Sequence, residues 1–134
     1  MDDAERNILK QRVIDELQHH KGPDNCIKMW EIFTAITGQH IIPIKKTDQT
    51  RIIRTLIEQL RKEGHPIGNK PGTYGGYFLA TCDEELEGTI KNFHNRAMSS
   101  LEQEAALKRT NPSKLMQQCM IDFEEQENSN NGKG

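Results

Sequence analysis

The segment from Thr47 to Ala80, TDQTRIIRTLIEQLRKEGHPIGNKPGTYGGYFLA, changes its hydrophobic period halfway along. Ile52, Ile53, Leu56, Ile57 and Leu60 fall at i, i+1, i+4, i+5 and i+8, a single apolar stripe at about 100° per residue. That spacing predicts a helix with one buried face. Thr47, Asp48, Arg51, Arg54, Thr55, Glu58 and Lys62 project from the other side, with Thr50 and Arg61 at its edge. Thr47 or Asp48 can cap the start, because a short oxygen-bearing side chain accepts from the open N–H groups of a first turn. Gly64 ends the helix, since glycine takes the left-handed conformation a helix end commonly needs. Two short β-type runs follow, His65 to Gly68 and Tyr74 to Ala80, around the turn formers Asn69, Lys70, Pro71, Gly72 and Thr73. A β-hairpin is expected there. Pro66 suits an edge strand, Gly75-Gly76 marks a bulge or a close backbone approach, and one of Tyr77 and Phe78 should face the core.

A helix with arginines on its outer face, followed at once by a glycine-tipped hairpin, is the pattern of a winged helix-turn-helix, and it directs attention to nucleic acid. The net charge of −2 is no obstacle, because the charge is unevenly spread. From Cys26 to Tyr77 there are eight basic residues against four acidic ones, so the excess of acid lies in the rest of the chain. Phosphate binding depends on the cations that touch the backbone, not on the average. In the helix, Arg51 and Arg54 can donate to a guanine edge or to phosphate, while Thr47, Thr50 and Thr55 can reach phosphates or a thymine methyl. Glu58 on the same face disfavours phosphate and confines contact to the first two turns. At the hairpin, Asn69, Lys70, Thr73 and Tyr74 can follow the backbone or enter the minor groove. The competing reading is a solvated face and an ordinary tight turn.

The remaining segments frame this one. Ala4 to His20 forms an amphipathic helix with Ile8, Leu9, Val13, Ile14 and Leu17 on one stripe, ended by the breakers Lys21 to Asn25. Lys28 to Thr37 reads as a second helix with Met29, Trp30, Ile32, Phe33 and Ile36 inward and Gly38 beyond its end. Gln39 to Lys46 is a link longer than the 3–4-residue turn of a strict helix-turn-helix. It either brings Lys45 and Lys46 against phosphate or alters the angle of the third helix. After the hairpin, Thr81-Cys82-Asp83-Glu84 has capping-box spacing and opens a long helix to about Lys108. Its narrow seam is Leu86, Ile90, Phe93, Ala97, Leu101 and Ala105. Asn111-Pro112 starts a final helix through about Glu125, with Leu115, Met116, Cys119, Met120 and Phe123 apolar. The tail from Glu124 is polar and expected to be disordered.

These readings give a mainly α chain with a small β-hairpin: a winged helix-turn-helix over residues 1–81, a C-terminal helical region over 82–125 and a polar tail over 126–134. The C-terminal seams, Leu86, Ile90, Phe93, Ala97, Leu101, Ala105, Leu115, Cys119 and Phe123, suit homodimerisation; folding back onto the same chain is the alternative. No apolar run approaches the roughly 20 residues of a membrane span and the acidic start lacks signal-peptide character, so a cytoplasmic protein is expected. Cys26, Cys82 and Cys119 are odd in number and far apart, which fits reduced thiols. The five histidines lie apart from any ligand-spaced carboxylate or cysteine, and neither a phosphate loop nor a nucleophile elbow occurs. No enzyme, metal or cofactor is expected.

The residues Thr47 to Arg54, Leu56-Ile57, Leu60-Arg61, Gly64, Pro66-Ile67 and Gly76-Tyr77, with Asp83 to Leu86 and Arg96-Ala97 beyond, resemble small winged helix-turn-helix proteins of bacteriophages and prophages. The likeness runs from about Met29 to Lys108. It implies double-stranded DNA binding in a bacterial host cytoplasm, associated with the nucleoid, in transcription regulation or phage or plasmid DNA replication. The long Gln39 to Lys46 link and the final helix depart from that pattern. The rival class is a protein-interaction module that docks on a host replication or transcription factor.

Overall fold

In the computed structural model, residues 2–38 and 47–131 are described, excepting the side chains of 47–49 and 129–131. The described residues are mainly helical, with one two-stranded antiparallel sheet. The order is α1 (Asp3–Leu17), α2 (Met29–Thr37), α3 (Thr47–Lys62), β1 (Ile67–Lys70), β2 (Gly76–Leu79), α4 (Glu87–Leu107) and α5 (Pro112–Asn131). Short 3-10 turns cover Pro23–Asn25 and Asp83–Leu86. The chain divides into two compact units, Met1–Ile90 and Lys91–Gly134, where the sequence placed its boundary at residue 81.

In the first unit the three helices pack around Val13, Leu17, Ile32, Phe33, Ile36, Ile53, Leu56, Ile57 and Leu60. Asp2 caps α1 by accepting from the Glu5 N–H at 2.8 Å. Gly38 ends α2 with φ 73°, its N–H donating to the Thr34 carbonyl. Lys10 of α1 pairs with Glu63 just beyond α3. The α3 stripe is turned slightly from the expected one: Thr50 is fully buried while Ile52 is 37% exposed. The cause is phase. Thr50, Ile53, Leu56, Ile57 and Leu60 follow i, i+3, i+6, i+7, i+10, which centres the buried face on Ile53 and Leu60. Likewise Ile8 of α1 is 54% exposed, although Val13 and Leu17 below it are fully buried.

The hairpin pairs Ile67 with Leu79, Gly68 with Phe78, Asn69 with Tyr77 and Lys70 with Gly76. Its strands therefore begin later than the sequence indicated, and the turn is Pro71 to Gly75 rather than Asn69 to Thr73. Both outer edges are occupied. On the β2 side, Ile27 and Tyr77 exchange two backbone hydrogen bonds of 2.8 Å, and Leu79 bonds His20 and Gly22. On the β1 side, the Thr89 hydroxyl accepts from the Asn69 N–H at 2.9 Å and donates to the Asn69 carbonyl at 3.3 Å. Gly75-Gly76 is a close approach: a Cβ on Gly75 would meet the Lys70 carbonyl oxygen at 2.0 Å, and one on Gly76 the Ile27 oxygen at 2.4 Å.

Tyr77 and Phe78 are both buried, where the sequence expected one of them to face the core. Tyr77 joins the helical core, and the Phe78 ring covers its cross-strand neighbour Gly68 on the opposite face. The helix start after the hairpin differs from the expected capping box. Thr81 engages Glu85, not Glu84: its N–H and hydroxyl both donate to Glu85 Oε1, at 2.6 and 2.8 Å. The first turn is 3-10 and Cys82 stands at its cap, which shifts the reach of the carboxylate by one residue.

In the second unit, α4 and α5 meet at a corner. Arg109 takes the left-handed conformation with φ 56°, Thr110 N–H donates to the Ala105 carbonyl at 2.9 Å, and Asn111 caps α5 by accepting from Lys114 N–H at 2.9 Å. Pro112 sits in the first turn as expected. α5 continues to Asn131, beyond the expected end near Glu125, so residues 126–131 are helical where a disordered tail was expected. Among the described residues, no helix is long and apolar enough to cross a membrane.

Two outcomes check this packing. Gly68→Ala sets a methyl 2.3 Å from the Phe78 ring and is expected to cost about 1–3 kcal/mol in urea unfolding, whereas Gly88→Ala, with open space around its Cβ, should cost nothing. The Glu85 carboxyl is held below its ordinary value by the bonds from Thr81, so its stabilisation is present at neutral pH and lost as pH falls through the depressed value. Glu85→Gln should therefore lower the urea midpoint more at pH 7 than at about pH 3.

Candidate nucleic-acid interface

The outer face of α3 is built by the helix period that buries its inner face. Arg51, Arg54, Thr55, Glu58 and Lys62 are all exposed. Among the described residues no acceptor meets the Arg51 or Arg54 guanidinium. The Thr55 hydroxyl donates back to the Arg51 carbonyl at 3.1 Å, which leaves its oxygen able to accept. Lys62 Nζ lies 3.0 Å from Glu58 Oε1, so the one acid described on this face is matched by a neighbouring cation. Thr50 leaves the candidate set. It is fully buried, and a buried hydroxyl cannot reach a phosphate in this conformation. Lys45, Lys46 and the Thr47 side chain lie outside the described residues.

The hairpin is fixed to the end of α3 by Arg61. Its Nε–H donates to the Ile67 carbonyl at 2.8 Å, and its guanidinium carbon stands 5.7 Å from the centre of the Tyr77 ring. Burial pushes the Arg61 group below its ordinary value, with Tyr77 acting in the opposite direction. The sequence placed Arg61 at the edge of the stripe without a role; only the neighbouring strand supplies one. A second residue that sequence reasoning passed over is Lys28, whose Nζ donates to the Gly75 carbonyl at 2.9 Å and braces the turn from beneath.

At the tip, Gly75 N–H donates to the Gly72 carbonyl at 3.0 Å, closing the turn. Thr73 is exposed, and Tyr74 is 92% exposed, so its ring stands in solvent on a braced support. Asn69 presents an exposed side chain while its backbone is taken by Thr89. Lys70 has an acidic neighbour that sequence could not pair with it: its Nζ lies 3.8 Å from Asp24 Oδ1. Both side chains are well exposed, and such a contact contributes little in water. Lys70 therefore remains available to an anion at small cost.

Among the described residues, no group of three His, Cys, Asp or Glu side chains is placed to hold a metal ion. The three cysteines are free thiols, and burial pushes the Cys26 thiol up from its ordinary value despite the opposing pull of Lys70 and Lys28. Cys26 is thus a protonated, hydrogen-bonded thiol, donating to the Pro23 carbonyl at 3.1 Å.

The residues expected to dimerise separate into three groups. Leu86 lies in the 3-10 turn before α4 and is half-buried, so it is not part of the helical seam. Ala105 and Leu115, either side of the corner, are buried, which removes them as open contact surface. Ile90, Phe93, Ala97 and Phe123 are exposed, and Leu101 and Cys119 are intermediate. No protein-family model, curated protein or solved structure matches the chain.

The Thr89 contact gives a direct check on the support of the hairpin. Thr89→Val keeps the shape but strips Asn69 of both bonds, and should cost about 1–2 kcal/mol with faster hydrogen exchange at the Asn69 amide. Thr89→Ser should stay close to wild type in both measurements.

Proposed function

We propose that the chain is a winged helix-turn-helix that binds double-stranded DNA, with the first turns of α3 in the major groove and the hairpin tip along the backbone. The observation that carries this reading is the pair Arg51 and Arg54, exposed on adjacent turns, with no acidic side chain engaging them among the described residues. Arginine at such positions donates in a bidentate manner to guanine or to phosphate. Three further features support it. The element order is helix, bridged strand residue Ile27, helix, helix, hairpin. The Glu58 charge is offset by Lys62. The tip presents Lys70, Thr73 and Tyr74 from a turn braced by Lys28.

Binding is the whole of the proposed chemistry. Arg51, Arg54 and Lys70 neutralise phosphates and release counterions, and Arg51 or Arg54 reads a base edge. Transcription regulation and the initiation of phage or plasmid replication are the processes such a protein serves, in a bacterial cytoplasm. The rival reading, a module docking on a host replication or transcription factor, draws on the exposed Met116, Met120 and Phe123 of α5. Such a patch speaks for protein contact in residues 91–134 and leaves the α3 face to DNA.

Selection from a random duplex pool, followed by gel-shift titration at several salt concentrations, tests the proposal. Arg51→Ala with Arg54→Ala should weaken binding by about 30-fold or more, the sum of two contacts at about 1 kcal/mol each, and flatten the salt dependence. Circular dichroism should be unchanged, because both side chains are exposed. Unaltered affinity in the double variant, or no sequence enrichment by the wild-type chain, overturns the DNA reading.

A further inference from the structure

We infer that residues 91–131 pair with the same region of a second copy, α5 of one chain lying antiparallel along α4 of the other. The first observation is where burial stops. Ala105 and Leu115 are buried at the corner, and Leu101 and Cys119, one turn out on each helix, are intermediate. The rest of the apolar face of α5 opens to solvent: Met116, beside Leu115, is 39% exposed, and farther out Met120 is 60% and Phe123 69% exposed. The chain's own α4 does not cover it.

The second observation is charge, and it selects both the occupant and the direction. From Gly88 to Leu101, α4 carries Lys91, His94 and Arg96 and no acidic residue. From Leu115 to Asn131, α5 carries Asp122, Glu124, Glu125 and Glu127 and no basic residue. An antiparallel pairing sets the basic half of one helix against the acidic half of the other. Parallel pairing would place that acidic half beside Glu102 and Glu104 and is disfavoured. Within one chain these halves make no ion pair among the described residues of the unit, where the one salt bridge described is the local Lys108–Glu104 contact at 3.0 Å. The complementary surface is therefore satisfied by a second copy, whose α4 offers the exposed Ala97 and the half-buried Leu101 to Phe123 and Met120. By the helix rotation, Lys91 and Glu127 both border these apolar stripes, and the antiparallel arrangement brings them opposite one another twice in each dimer.

This pairing involves no DNA. Sedimentation equilibrium of the full chain across a dilution series should give a mass twice 15.4 kDa at the upper concentrations. Phe123→Glu should give a monomer with unchanged far-ultraviolet circular dichroism, since that side chain is exposed. Lys91→Glu and Glu127→Lys should each weaken the dimer by about tenfold, the size of two exposed ion pairs turned from attraction to repulsion. An equimolar mixture of those two variants should regain the wild-type constant, because each contact then joins opposite charges on different chains. A wild-type monomer at every concentration, or a Phe123→Glu dimer as tight as wild type, overturns the pairing. Rescue only when both reversals sit in one chain, with none in the mixture, assigns the contact to fold-back within the chain and overturns it equally.

Discussion

The reciprocal hydrogen bonds between Ile27 and Tyr77 are the constraint on which the first unit depends. A hairpin of two four-residue strands is marginal in water, because it gains few ladder bonds for the backbone entropy it loses. Here the segment between α1 and α2 supplies a third backbone partner on one edge, and the Thr89 hydroxyl satisfies the other. The hairpin is thus joined at once to the chain before α2, to the end of α3 through Arg61 and to the start of α4. Blocking both edges also removes a template for strand addition by other molecules.

That bracing decides what the candidate surface can do. A hairpin that moved freely would have to be ordered on binding, at an entropic cost. Lys28 beneath the turn and Arg61 between helix and sheet hold the tip and α3 as parts of one unit before any ligand arrives. Tyr74 consequently stands exposed on a fixed support. The proposed contacts of α3 rest on side chains that are exposed because the opposite face of the same helix is fully buried.

Residues 91–134 follow a different logic. A corner closed by a left-handed Arg109 and the Asn111 cap fixes only the last turn of α4 and the first turns of α5. Beyond it, α5 carries Met and Phe side chains in solvent and an acidic outer half, while α4 from Gly88 to Leu101 carries Lys91, His94 and Arg96 and no acidic residue. Apolar surface and charge arranged in this way are complementary between copies, which is the basis of the proposed pairing.

The helices were legible from periodicity, since residues at helical spacing must share a face whatever they pack against. α3 begins and ends where the pattern placed it, and Gly38 and Asn111 act as the end signals they resemble. Phase was less legible. Whether Thr50 or Ile52 is buried depends on the direction from which α1 and α2 approach, and the two choices differ by a fraction of a turn. The burial of both Tyr77 and Phe78 was hidden for a similar reason, because alternation says that they face opposite ways but not that both sides are covered. Thr89, Arg61 and Lys28 carried no local signal at all, as their partners lie many residues away.

By itself, the sequence determined the helical segments, the hairpin, the arginine-bearing face of α3 and the separation of basic and acidic regions. Each follows from local periodicity, turn chemistry or composition. Only the tertiary structure decided the strand register, the closing of both sheet edges, the loss of Thr50 from the surface and the exposure of α5. Those outcomes arise from pairings between distant segments, where the geometry of approach selects among arrangements that local preference leaves equivalent.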